Sequence, residues 1–194
     1  MTKPWLQTFS GKRYDLTIPN PSVIRVEDVA HALSQINRYT GHTDRPYSVA
    51  QHSVMGAENS WARAHVWCEA LGLYLTPRQF AAQVLLHDAH ECVTGDVASP
   101  IKVAIGKAWR RFEDKHERAF RSRFGLAGAK MPAEVKVVDV RMLATEVRDR
   151  MAAPTEEWDH MIKGVEPYPS TCRRWTSTYA EARFLELAEQ LGIR

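Results

Sequence analysis

The sequence predicts an all-α protein, a compact bundle of helices, on three observations. Apolar residues recur at helical spacing along most of the chain, helix-start signals stand in front of several of these stretches, and no stretch alternates strictly as a half-buried sheet would. The 194 residues suit one domain, 1–194, with enough chain to bury a core. No run is apolar for the length of a membrane helix, and the N-terminus lacks the apolar stretch of a signal peptide. A soluble, cytoplasmic protein with no membrane partner is therefore expected. Cys68, Cys92 and Cys172 have no CxxC spacing, which argues against a disulfide framework or a zinc knuckle. The formal net charge of +3 is dispersed among acids, fitting small anionic ligands and not a long nucleic-acid footprint.

Residues 1–23, rich in Pro, Gly, Ser and Thr, read as an N-terminal arm, either a short hairpin or extended chain. Val26, Val29, Ala30, Leu33 and Ile36 predict a first helix ending near Asn37, with Arg38 and Tyr39 at its exit. Ser48 and Gln51 have capping-box spacing and open a helix to about Cys68. Its small residues Gly56, Ala57, Ser60 and Ala64 let another helix approach closely, and His52 lies beside them. Thr76, Pro77 and Gln79 mark the next start as a capping box with a first-turn proline. Phe80, Ala81, Val84 and Leu85 follow on one stripe, and Asp88 arrives on that same stripe, where an unpaired carboxylate costs several kcal/mol. Residues 92–96 turn at Gly95, and Ser99-Pro100 begins a helix with Lys102 in its first turn. Trp109, Phe112, His116, Ala119 and Phe120 extend a stripe toward Phe124, after which 125–132 breaks it. From Pro132 a further helix carries Val135, Val138 and Met142 with Asp139 among them. Residues 153–176 contain Pro154, Gly164, Pro167 and Pro169 interleaved with Trp158, Tyr168 and Trp175, and read as an ordered loop or lid. Phe184, Ala188 and Leu191 seat a final helix over about Thr178 to Leu191.

His87 and Asp88 are adjacent, with Glu91 one turn beyond. Such a pair alone is more often a hydrogen-bonded core pair than a metal site. His52 and Asp139 change that balance, because all four are polar groups on helices otherwise packed through apolar faces. Two imidazoles and two carboxylates form a mixed N/O set suited to a divalent first-row metal or magnesium.

This H…HD…D arrangement in a helical chain resembles the HD-domain metal-dependent phosphohydrolase superfamily, from about Val26 to Met151. Five stretches, 36–39 (INRY), 47–53 (YSVAQHS), 86–91 (LHDAHE), 94–96 (TGD) and 99–102 (SPIK), are similar to the branch of bacterial 5′-deoxynucleotidases and related phage nucleotide phosphohydrolases. The resemblance implies a compact HD-type helical bundle with one divalent ion, Mn, Co, Mg, Fe or Zn, on His52, His87, Asp88 and Asp139. It implies Glu91 as the acid/base residue, Arg38 as a phosphate-binding arginine and Asp96 as a carboxylate beside the sugar. Tyr39 stands where members of the branch usually carry tryptophan, at a substrate-binding position. Lys102 and Lys136 look like phosphate contacts of relatives that act on triphosphates. A homo-oligomer, dimer or higher, is implied too. The expected reaction is removal of the 5′-phosphate from a deoxynucleoside monophosphate, with a dNTP phosphohydrolase and a non-catalytic nucleotide sensor as alternatives. A two-metal iron oxygenase needs paired histidines between Asp88 and Asp139, where only His90 and His116 lie.

Overall fold

Trp5–Gln7 (β1) and Arg13–Asp15 (β2) pair antiparallel, with Leu6 opposite Tyr14, so the N-terminal arm is a hairpin. Everything after it in the computed structural model, which describes residues 3–70, 72, 74–128, 130–153 and 161–194, is helix or connecting chain. The helices are α1 (Val26–Gln35), α2 (Val49–Trp61), α3 (Ala64–Ala70), α4 (Pro77–Leu85), α5 (Glu91–Thr94), α6 (Ser99–Ile105), α7 (Lys107–Arg123), α8 (Ala133–Arg150) and α9 (Ser177–Gln190). None among the described residues is long and apolar enough to cross a membrane.

The bundle is built around α2, which packs against α1, α4, α8 and α9. Its small residues permit this. A Cβ added at Gly56 would lie 3.3 Å from Val84 Cγ1 and 3.5 Å from Met142 Cγ, so α4 and α8 both close on α2 where a side chain is missing. Val29, Leu33, Val54, Phe80, Leu85 and Phe184 fill the core around that crossing.

The start signals work as the sequence predicts at Thr76, where Thr76 Oγ1 accepts from the Gln79 N–H at 3.2 Å and Gln79 Oε1 accepts from the Thr76 N–H at 2.8 Å. At Ser48 only half the box forms. The hydroxyl caps the Gln51 N–H, but the Gln51 amide donates to the Arg173 carbonyl at 2.5 Å instead. The helix expected to reach Cys68 ends at Trp61. Buried Ser60 bonds back to the Ala57 carbonyl at 2.9 Å, a local contact that bends helices, and the chain resumes as α3 in a new segment.

Of the expected 153–176 loop, residues 154–160, with Pro154 and Trp158, lie outside the described residues. Residues 165–176 run along α8. The Arg148 guanidinium donates to the carbonyls of Tyr168 and Ser170, each at 2.8 Å, while the Tyr168 and Cys172 N–H groups bond to Thr145 and Asp149.

Candidate active site

The His87-Asp88 pair does not lie inside a regular α-helix as its spacing predicts. α4 ends at Leu85, and the backbone then tightens into three-residue steps: His87 N–H to Val84, Ala89 to Leu86, Glu91 to Asp88 and Cys92 to Ala89. With three residues per turn, side chains three apart stand above one another. Asp88 and Glu91 are therefore stacked on one side, so that the charge of Asp88 acts on the Glu91 carboxyl.

Opposite this segment, α2 presents His52 and α8 presents Asp139. His52 Nε2 is 3.3 Å from His87 Nε2, 3.3 Å from Asp139 Oδ1 and 3.8 Å from Asp88 Oδ2. His87 Nε2 is 3.0 Å from Asp88 Oδ2 and 3.9 Å from Asp139 Oδ1. Both imidazoles are held from behind. His52 Nδ1 lies 2.5 Å from a Glu146 oxygen and His87 Nδ1 lies 2.7 Å from the Val84 carbonyl, and because those oxygens only accept, both Nδ1 atoms carry hydrogen. Two Nε2 atoms are left facing each other, and either a proton on one of them or a cation between them relieves the repulsion of their lone pairs.

The residues fit a divalent ion. Ligand atoms that each lie about 2.1 Å from one metal stand roughly 3–3.5 Å apart, close to the separations seen here. His52, His87 and Asp88 form a cluster able to hold a metal, and Asp139 closes the side facing both imidazoles. The charges agree. Burial and Arg38 oppose charge on His52, yet Glu146 and Asp139 carry its pKa up to about 9, so the site gathers positive charge at its centre. Burial also opposes ionisation of Asp88 and Asp139, and the neighbouring imidazoles hold both carboxyls well below the usual range.

Around this centre stand the other expected residues. Arg38 follows α1 in a turn whose ends are clasped by an isolated bridge between Asn37 and Ser48, with Arg38 N–H donating to the Tyr47 carbonyl. Its guanidinium comes within 3.6 Å of Asp88 Oδ2 and 3.3 Å of Glu146 Oε2. Tyr39 and Thr40 both take positive φ, 57° and 53°, which turns Tyr39 back so that its hydroxyl donates to Glu146. Glu91 is buried, one of its oxygens has no hydrogen-bond partner, and burial together with Asp88 and Asp96 pushes its carboxyl well above the usual range. Asp96, half-buried after the positive-φ Gly95, is raised by burial against the pull of Arg38. Lys102 lies 3.8 Å from Glu91 and is held at 2.6 Å by Glu113, and exposed Lys136 reaches Asp139 Oδ2 at 2.6 Å.

Glu113 and Glu146 belong to this set and escape sequence reasoning. Glu113, set among the apolar positions of α7, carries no local sign of its partner Lys102. Glu146 does carry one: it falls two turns beyond Asp139, on the face that already bears a carboxylate.

A buried pair of facing imidazoles with two converging carboxylates, set among helices, is a cluster that could hold a divalent ion. A family model described as "5′-deoxynucleotidase YfbR-like" matches residues 28–136. An uncharacterized protein of Rhodobacter capsulatus is 40% identical over 138 residues, which is 70% of this chain and 65% of that protein. The uncharacterized protein YfdR of Escherichia coli is 35% identical over 145 residues, 75% of this chain and 71% of that one. The chain thus spans just under two thirds of the first relative. It belongs to the YfbR-like 5′-deoxynucleotidase family.

Proposed function

We propose that the protein hydrolyses the 5′-phosphate of deoxynucleoside monophosphates, with one divalent ion held by His52, His87, Asp88 and Asp139. The observation that carries this is the pair of Nε2 atoms 3.3 Å apart, each fixed by a hydrogen bond behind it, beside the buried Glu91 carboxyl. A divalent ion bound there supplies charge neutralisation and an acidified water. The remaining work falls to side chains. Arg38, partly buried and permanently charged, grips phosphate oxygens and orients them for in-line displacement. Glu91, whose carboxyl burial raises well above the usual range, handles the proton of the water or of the departing 5′-oxygen. Asp96 faces the sugar, where a bond to the 3′-hydroxyl and close packing at the 2′ position favour deoxyribose. Tyr39 lines the wall, with its hydroxyl committed to Glu146. Lys136, two-thirds exposed and anchored on Asp139, together with Lys102 supports a second reading, in which further phosphates of a dNTP extend toward the rim.

Phosphate release measured over dNMPs, NMPs and dNTPs with Mn²⁺, Co²⁺ and Mg²⁺ tests this. Turnover is expected on dNMPs, and Glu91→Ala is expected to bind Mn²⁺ as before while hydrolysing at least about a hundredfold more slowly, the lower end of the contribution of a proton-transfer group. Near-normal turnover by that variant would remove Glu91 from the chemistry. Binding of nucleotide without phosphate release under any metal would make the protein a sensor.

A further inference from the structure

We propose that Glu146 is a positioning residue that serves both halves of the site, setting the metal-facing imidazole of His52 with one oxygen and the Arg38–Tyr39 turn with the other. It rests on the reading of the site as a metal centre and assigns a role to a residue outside the ligand set. Glu146 is 0% exposed on α8, its Oε1 2.5 Å from His52 Nδ1 and its Oε2 accepting from Arg38 Nε at 3.3 Å and from the Tyr39 hydroxyl. The three donors come from two other parts of the chain, and in this structure they meet at this one carboxylate.

A buried ion pair adds little to stability, because well-packed apolar residues usually replace it without loss. Glu146 is instead required by geometry. A histidine ligand offers its Nε2 lone pair to a metal only when Nδ1 carries the hydrogen, and an acceptor behind Nδ1 fixes that tautomer and the ring plane. On the other side, two successive non-glycine residues with positive φ crowd Cβ against the backbone, so the turn that aims Arg38 needs an external hold. The Oε2 bonds to Arg38 and Tyr39 supply one. A glutamine of the same shape cannot do both jobs. It has one oxygen and one NH₂, and because Arg38 and Tyr39 both donate, the oxygen turns to them and the NH₂ meets His52 Nδ1. His52 then takes its hydrogen on Nε2, where the metal must bind.

The test is calorimetric titration of the metal-free full chain with Mn²⁺, without nucleotide. Glu146→Gln is expected to weaken Mn²⁺ binding at least tenfold, within the roughly 10–100-fold range for loss of a hydrogen-bond partner behind a metal ligand, with circular dichroism unchanged. Tyr39→Phe, which removes one donor from Oε2 only, is expected to stay within about threefold of the parent, well short of that range. Parental affinity in Glu146→Gln overturns the proposal. If that variant does not fold, proton NMR of the zinc-loaded native protein decides. A strongly deshielded, exchange-protected His52 Nδ1 proton supports the hydrogen bond to Glu146, and its absence overturns it. A parent protein that binds no Mn²⁺ overturns the metal reading itself, and this proposal with it.

Discussion

At the scale of the residue, burial acts in opposite directions on two groups. It raises the Glu91 carboxyl well above the usual range, and it lowers His116, which α7 buries with its Nδ1 2.8 Å from the Tyr14 hydroxyl. Burial, with Lys115 and His90 nearby, brings the His116 pKa down to about 4. An unfolded histidine titrates near 6.5. Between these values the unfolded chain binds a proton that the folded chain refuses, so His116 contributes stability that is complete above about pH 6.5 and is lost as pH falls toward 4. The urea midpoint of the parent is therefore expected to fall more between pH 7 and 4.5 than that of His116→Gln, which keeps an acceptor for Tyr14 and does not titrate. Parallel slopes for the two proteins would show that His116 is not the group responsible. His52, His87, Asp88 and Asp139 stand out in the sequence because each is a carboxylate or imidazole on or beside an apolar stripe, whereas Arg38, Tyr39, Glu91, Asp96, Lys102 and Lys136 are reached only through the resemblance. Glu146 escapes because its partners lie 94 and 108 residues away, and its one local sign, a place two turns beyond Asp139, is shared by any solvated glutamate at that spacing.

At the scale of the element, periodicity marks which helices exist better than where they stop. The tightened turns after Leu85 follow no propensity visible in the sequence, yet they are what stacks Asp88 and Glu91. The small face of α2 was legible and does what it predicts, since Gly56 admits Val84 and Met142. Gly56→Val forces branched methyl groups into space those side chains occupy, an overpacking that costs about 1–3 kcal/mol. Because His52 is one turn before Gly56, spreading α2 from α4 also separates its imidazole from that of His87. A lower Tm in chelator and weaker Mn²⁺ binding are expected together. A variant that loses stability and keeps its metal affinity would show that the crossing at Gly56 does not set the distance between the imidazoles.

At the scale of the whole molecule, the centre joins α2, the segment after α4, and α8, so an ion bound there ties three parts of the bundle that separate on unfolding. Binding to the folded state alone adds RT ln(1 + [L]/Kd), about 2.7 kcal/mol at a hundredfold excess over Kd. For a chain of this size that raises Tm by roughly 5–10 °C, at about 2–4 °C per kcal/mol. Differential scanning calorimetry should show the rise with Mn²⁺, its reversal by EDTA and its disappearance in Asp139→Ala. A Tm indifferent to both reagents would speak against a resident metal. The bridge between Asn37 and Ser48 has a separate bearing on how such a protein can diversify. It pins the two ends of the intervening chain, leaving most of residues 40–46 exposed. Lengthening a pinned loop costs little, about 0.6 kcal/mol for each doubling. Sequence grafted between Thr40 and Pro46 can therefore change the exposed surface of this loop, while Arg38, held by the Tyr47 carbonyl, and His52 on α2 keep their places.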